Sequence, residues 1–206
     1  MALKGSGSDV TSSFITAAAA DPNGISTVAT ISGAANLTIN GALADGGSVT
    51  MDCPRNVTIL SAADDSGITF TVTGTDESGT AITEVITGAD STTATGSSFF
   101  QTVTQIATSG SSTGNVSAGS GTSCSGVISA SRCRLRGIYV VNGSGAATIV
   151  FREGSGTGTV VMQFATIAGA STNSYPDVPD DGILFSGGGF LDYSAANMSS
   201  ITLFYC

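Results

Sequence analysis

Through much of the chain, apolar residues recur at every second position, and Gly, Asp, Asn or Ser closes each run. From Asn56 to Gly119 the apolar positions alternate with Thr and Ser. A period of 2 turns one set of side chains toward a core and the other toward water, which is the pattern of an antiparallel strand. Strands are predicted at Thr27–Ile31, Ala35–Ile39, Ser48–Met51, Asn56–Ser61, Ile68–Thr73, Thr80–Ile86 and Phe99–Ala107, with a short one at Asn115–Ser117. Asp76-Glu77-Ser78-Gly79 reads as a tight hairpin turn between two of them.

Further strands are predicted at Arg134–Asn142, Ala147–Glu153, Thr159–Thr166, Gly182–Ser186, Gly189–Tyr193 and Ser200–Tyr205. Asn142-Gly143-Ser144-Gly145 and Glu153-Gly154-Ser155-Gly156 read as the turns of two successive hairpins. The stretch Gly110–Ser125, rich in Gly and Ser, reads as the domain boundary. The expected fold is therefore all-β: two domains of β-sandwich or jelly-roll type, at residues 27–123 and 124–206. Residues 1–26 form a short N-terminal arm, with a helical or extended piece at Phe14–Ala20 and a turn at Asp21-Pro22-Asn23-Gly24. The arm reads either as a frayed end or as a segment that packs on a neighbouring subunit.

The words of this pattern also carry a resemblance. DDSGITFTVTGTD, the acidic strand TEVITG, FFQTVTQI and GNVSAG together resemble a β-rich domain of virion structural proteins in tailed phages. The likeness covers roughly this third of the chain. The second half is similar to a small sandwich module of phage structural proteins, through VVNG, FREGSG, DDGILF and a final apolar strand. The resemblance implies a particle component, and a homotrimer as the commonest state of a decoration protein.

Composition narrows the classes. Of 206 residues only 10% are charged, against about 25% in an average domain, and Gly is about twice its usual share. Ser and Thr hydroxyls thus solvate the surface in place of charges. The 41% apolar content is too high for a disordered chain. Residues 1–123 carry Lys4 and Arg55 against ten acids, a balance of −8. Residues 124–206 carry four arginines against five acids, a balance of −1. An acidic surface repels nucleic acid and anionic membranes, so neither is an expected partner. No apolar run approaches the ~20 residues of a membrane helix.

The residues that carry most catalysis are scarce. With no His and a single Lys, Ser-His-Asp and Cys-His nucleophiles are excluded, as is histidine acid–base work. Asp64-Asp65 and Asp180-Asp181 are adjacent acids within turns, unlike two carboxyls facing each other across a sugar. Asp177 with Asp180 and Asp181 offers oxygen ligands for calcium but lacks the EF-hand pattern. The Gly-rich stretches have no Lys or strand–loop–helix context for phosphate. Cys53, Cys124, Cys133 and Cys206 form no CxxC pair, and no zinc site is expected. Cys124 and Cys133 are the pair closest in sequence. MALKGSGSDV has no apolar signal region, so the thiols are expected to be reduced, and mostly buried.

Arg132, Arg134 and Arg136 stand at period 2, which puts three guanidinium groups on one face of a strand. That stripe reads as an intersubunit contact to an acidic face, or as a solvated face protecting a sheet edge. Together these features lead to the expectation of a non-catalytic phage structural protein without cofactors. The favoured role is a capsid decoration or cement protein on the outer head, assembled in the host cytoplasm, with the major capsid protein and itself as partners. The alternatives are a tail component, as fibre or appendage near the portal, and a host-surface or polysaccharide-binding module.

Overall fold

The computed structural model describes residues 10–16, 18–170 and 172–206. Residues 1–9 of the expected arm, Lys4 among them, lie outside the described residues. The elements in chain order are β1 (Thr11–Ile15), β2 (Ser26–Thr30), β3 (Ala44–Asp45), β4 (Ser48–Ser61), β5 (Thr69–Thr75), β6 (Ala81–Thr87), β7 (Thr93–Thr95) and β8 (Phe100–Thr108). They continue with β9 (Asn115–Ser129), β10 (Cys133–Asn142), β11 (Thr148–Glu153), β12 (Thr159–Ala165), β13 (Asn173–Ser174), β14 (Ile183–Phe185), β15 (Gly189–Ser194) and β16 (Met198–Tyr205). The protein is all-β, with no helix among the described residues.

Contacts divide the chain into two compact units, Ala18–Cys124 and a second that joins Ser125–Cys206 to the N-terminal stretch. The division falls inside β9, so Gly110–Ser125 is not an irregular linker from Asn115 onward.

In the unit Ala18–Cys124 the strand order is β9-β4-β8-β5-β6, with β2 on β9 and with β3 and β7 on β4. All these pairs are antiparallel. β5 shows the predicted alternation: Phe70, Val72 and Gly74 are buried, and the threonines between them are half-exposed. The core gathers Ile25, Val49, Val57, Ile59, Phe70, Val72, Phe100, Val103, Ile106 and Val116. The β5–β6 turn is held by Asp76, whose carboxylate accepts the N–H groups of Ser78 and Thr80 at 2.8 and 2.9 Å. Gly79 closes that turn at φ +79°, a backbone angle at which only Gly is unstrained.

Ala35–Ile39 does not form the predicted strand. It makes a single bridge, Asn36 to Ala107, and drops Leu37 into the core. Ser48–Met51 and Asn56–Ser61 are one strand, β4, which passes through Pro54 with register shifts against β8 and β9. Pro within a strand is tolerated at such irregularities because it has no N–H to give.

The second unit draws its strands from two sheets. One sheet runs β1-β16-β10-β13, with β14 also on β10, and the other carries β12-β11-β15. Ile149, Phe151, Phe190 and Leu191 of the latter are buried, as are Leu135, Val140, Ile201 and Leu203 of the former. The N-terminal stretch enters as β1, antiparallel to β16, so the expected helical or extended piece at Phe14–Ala20 is extended where the strand overlaps it, at Phe14 and Ile15. β11 and β12 form the second predicted hairpin. The first does not form: β10 and β11 belong to different sheets. Gly143 instead donates its N–H to Asn197 at 2.8 Å, and a Cβ there would stand 2.7 Å from the Asn197 carbonyl carbon. The Asn142–Gly145 turn is thus a crossing seated on the Asn197 loop.

Candidate functional site

The arginine stripe lies at the start of β10. Cys133 and Leu135 point inward and are buried, while Arg134 and Arg136 alternate with them and are half-exposed. Arg132 precedes the strand and is exposed. The backbone pairs Cys133, Arg134 and Leu135 with Phe185, Leu184 and Ile183 of β14, which brings the turn before β14 under the two strand arginines. Arg134 donates from Nη1 to the Asp181 carbonyl at 3.0 Å, and Arg136 from Nη1 to the Asp180 carbonyl at 2.7 Å. Gly182, at φ +72°, lets that turn approach the strand; a Cβ there would lie 2.6 Å from the Leu135 carbonyl oxygen. Two of the three guanidinium groups therefore hold this chain's own turn, and Arg132 is the one directed outward.

The acidic pairs behave as turn residues. Asp64 accepts the N–H and hydroxyl of Ser66 at 3.0 and 2.6 Å, which holds its carboxyl below the usual range. Asp65 is buried and accepts the Thr113 N–H at 2.7 Å. Asp180 and Asp181 contribute carbonyls, not a carboxylate cage. Among the described residues no cluster of His, Cys, Asp or Glu is placed to hold a metal ion.

A second polar centre, Arg55 with Asp52 and two cysteines, was not foreseen. Arg55 is only 1% exposed. Its Nε and Nη2 donate to Oδ1 and Oδ2 of Asp52 at 2.7 and 2.9 Å, a two-pronged pair. Nη1 donates to the Gly121 carbonyl at 3.1 Å and Nη2 also to the Ala18 carbonyl, while the Ala18 N–H donates to Asp52 Oδ2 at 2.7 Å. Burial opposes ionisation of Asp52, but the bonds from Arg55 and Ala18 outweigh it and hold the carboxyl below its ordinary value. Burial likewise opposes the charge on Arg55, and Asp52 reverses that and strengthens it. Cys53 and Cys124 sit beside this pair. The contact with Cys53, followed by burial, pushes the Cys124 thiol well up. A run such as MDCPRN reads as a loop between strands; Pro54 hid the continuous strand that buries Arg55.

Next to Gly121 lies a shallow cleft of about 240 Å³, lined by hydroxyls of Thr58, Thr95, Ser120 and Thr122 and by Asn56. It offers hydrogen bonds but no titratable group and no aromatic floor. A second ion pair, Arg152 with Asp192 at 2.5 Å, ties β11 to β15 in the second unit. Burial raises the Asp192 carboxyl above its ordinary value, and Arg152 and Ser125 offset only part of that rise.

No family model, curated protein or solved structure matches this chain.

Proposed function

We propose that the chain is a non-catalytic structural protein of a tailed-phage particle, placed on the outer head as a decoration or cement protein. Its partners are then the major capsid protein and its own copies, as a homotrimer. The observation that carries this reading is the outer wall made by β5 and β6, which lies within the segment bearing the phage resemblance. Thr69, Thr71, Thr73 and Thr75 stand opposite Thr87, Val85, Thr83 and Ala81. This face bears no charge in a chain of net charge −9. Glu84 of β6 is turned away and accepts the N–H groups of Ser97 and Ser98. Val85 is 61% exposed, and β6 ends the sheet with no strand on its outer edge among the described residues.

An uncharged wall is where an acidic chain meets a neighbour without repulsion. An open strand edge is also a ready template for a partner. A protein that binds only the assembled shell opposes its disassembly by mass action. Heads prepared without this chain provide the test. Purified chain is expected to sediment with them saturably and to raise the temperature at which they disrupt. Failure to sediment with intact heads contradicts the reading.

A further inference from the structure

Two of the four cysteines meet in a place that neither spacing nor composition reveals. Cys124 of β9 stands directly opposite Arg55 of β4 in the strand ladder. Simple alternation would turn Cys53 and Arg55 inward and Pro54 outward, yet all three are buried. The register shifts on both sides of this stretch account for that, because a bulge breaks the alternation of faces. Cys53 and Cys124 are 7% and 0% exposed and stand as neighbours; the Cys53 thiol donates to Asp52 Oδ1 at 3.8 Å and the Cys124 thiol to the Thr122 carbonyl at 3.9 Å. Arg55 lies near both and by itself favours a thiolate at Cys124, but the contact with Cys53 and burial outweigh it and push that thiol up, so exchange is slow while the chain is folded.

The other two thiols are not so placed. Arg134 and Cys206 exchange both backbone hydrogen bonds, at 2.8 and 3.0 Å, so their side chains share a face. Cys133, the next residue along β10, points to the opposite face and is buried.

We propose that Cys53 and Cys124 are a disulfide site that fastens β4 to β9 when the chain meets an oxidising small-molecule disulfide. The Cys53 thiolate attacks one sulfur of that disulfide, forming a mixed disulfide and releasing one small thiol. The Cys124 thiolate then attacks the Cys53 sulfur and releases the second. The two protein thiols give up two protons and two electrons, and these appear on the two released thiols. Cys53, the less buried of the two, is the first to react. The bond closes a loop running from β4 to β9 through β5, β6, β7 and β8. A long loop is where a cross-link restricts the unfolded chain most. The site is independent of any role in a particle.

The test is to refold the reduced, unfolded chain in a buffer of reduced and oxidised glutathione and then map its peptides. The expected product joins the Cys53 and Cys124 peptides with the loss of two hydrogens, and Cys133 and Cys206 stay alkylatable. The Cys133→Ser/Cys206→Ser variant is expected to form the same link. Oxidation is expected to raise the melting temperature of that variant by about 10 °C over the same sample under reductant. The never-unfolded chain in the same buffer is expected to give the same link more slowly, because both sulfurs are buried. Four free thiols after refolding, or a link between any other pair, overturns the proposal.

Discussion

Arg55 and Asp52 meet side-on inside the unit Ala18–Cys124, with both carboxylate oxygens held by one guanidinium at 2.7 and 2.9 Å. The remaining guanidinium contacts are main-chain carbonyls of Ala18 and Gly121. One charged pair thus pins the chain where it enters this unit and where β9 runs beside β4.

Truncating that arginine leaves the buried Gly121 carbonyl without its donor, while Asp52, 37% exposed, and the exposed Ala18 carbonyl can turn to water. Arg55→Ala is expected to destabilise this unit by about 1.5–3 kcal/mol, less than a fully buried pair would cost. Urea unfolding followed by far-UV circular dichroism measures it. A loss below about 1 kcal/mol would mean that the pair is effectively solvated.

The two ion pairs predict opposite responses to acid. Asp52 is held below its unfolded value, so its contribution is full above about pH 4 and is lost as pH falls through the lower folded value. Asp192 is raised by burial, so the native state takes up its proton before the unfolded chain does. Its contribution therefore grows as pH falls through the raised folded value toward about 4, and it is lost as pH rises again. The stability difference between wild type and Asp52→Asn is expected to shrink below about pH 4. The stabilisation on acidification above pH 4 is expected to be absent in Asp192→Asn. Urea midpoints from pH 7 to pH 2.5 measure both.

Strand packing predicts a contrast between two glycines. A Cβ on Gly74 would stand 1.9 Å from the Thr102 carbonyl oxygen, where β5 and β8 shift register. Gly74→Ala is expected to cost about 3 kcal/mol, at the upper end for overpacking, because the backbone has to move. Gly67→Ala meets nothing within 4 Å and is expected to change stability by less than about 0.5 kcal/mol. Thermal denaturation of the two variants is a direct comparison.

The arginine stripe divides into separable roles. Arg134→Glu is expected to release the turn at Asp180–Gly182 and speed proteolytic cleavage there at least several-fold. Arg132→Glu is expected to leave cleavage and stability unchanged and to weaken association with heads. If Arg132→Glu associates normally, the stripe is no intersubunit contact, and its arginines serve the turn and the solvated face.

The parts legible in the sequence are those where large apolar residues alternate with hydroxyls. β5, β6, β8 and β10 lie within a residue or two of their expected bounds because Phe70, Val72, Ile106, Leu135 and Val140 mark one face clearly. β9 was hidden by its own composition. Gly119 and Gly121 are small because Asp21, Pro22 and Asn56 press against them, with Cβ positions 2.1 and 2.3 Å from those neighbours. Small residues at a close approach look like a flexible linker when only their types are read. Pro54 concealed β4 and its buried arginine in the same way. The Asn142–Gly145 turn carried the letters of a hairpin, but Asn197, fifty residues on, decides where the chain goes next. The stripe of Arg132, Arg134 and Arg136 was legible as a pattern; its bonding to the turn before β14 depends on long-range pairing that no local signal reports.

The copy number of this chain per purified virion, relative to the major capsid protein, decides its place on a particle. A ratio near the capsid subunit's own abundance is the expected result. A handful of copies per particle would contradict it and move the chain to a tail appendage.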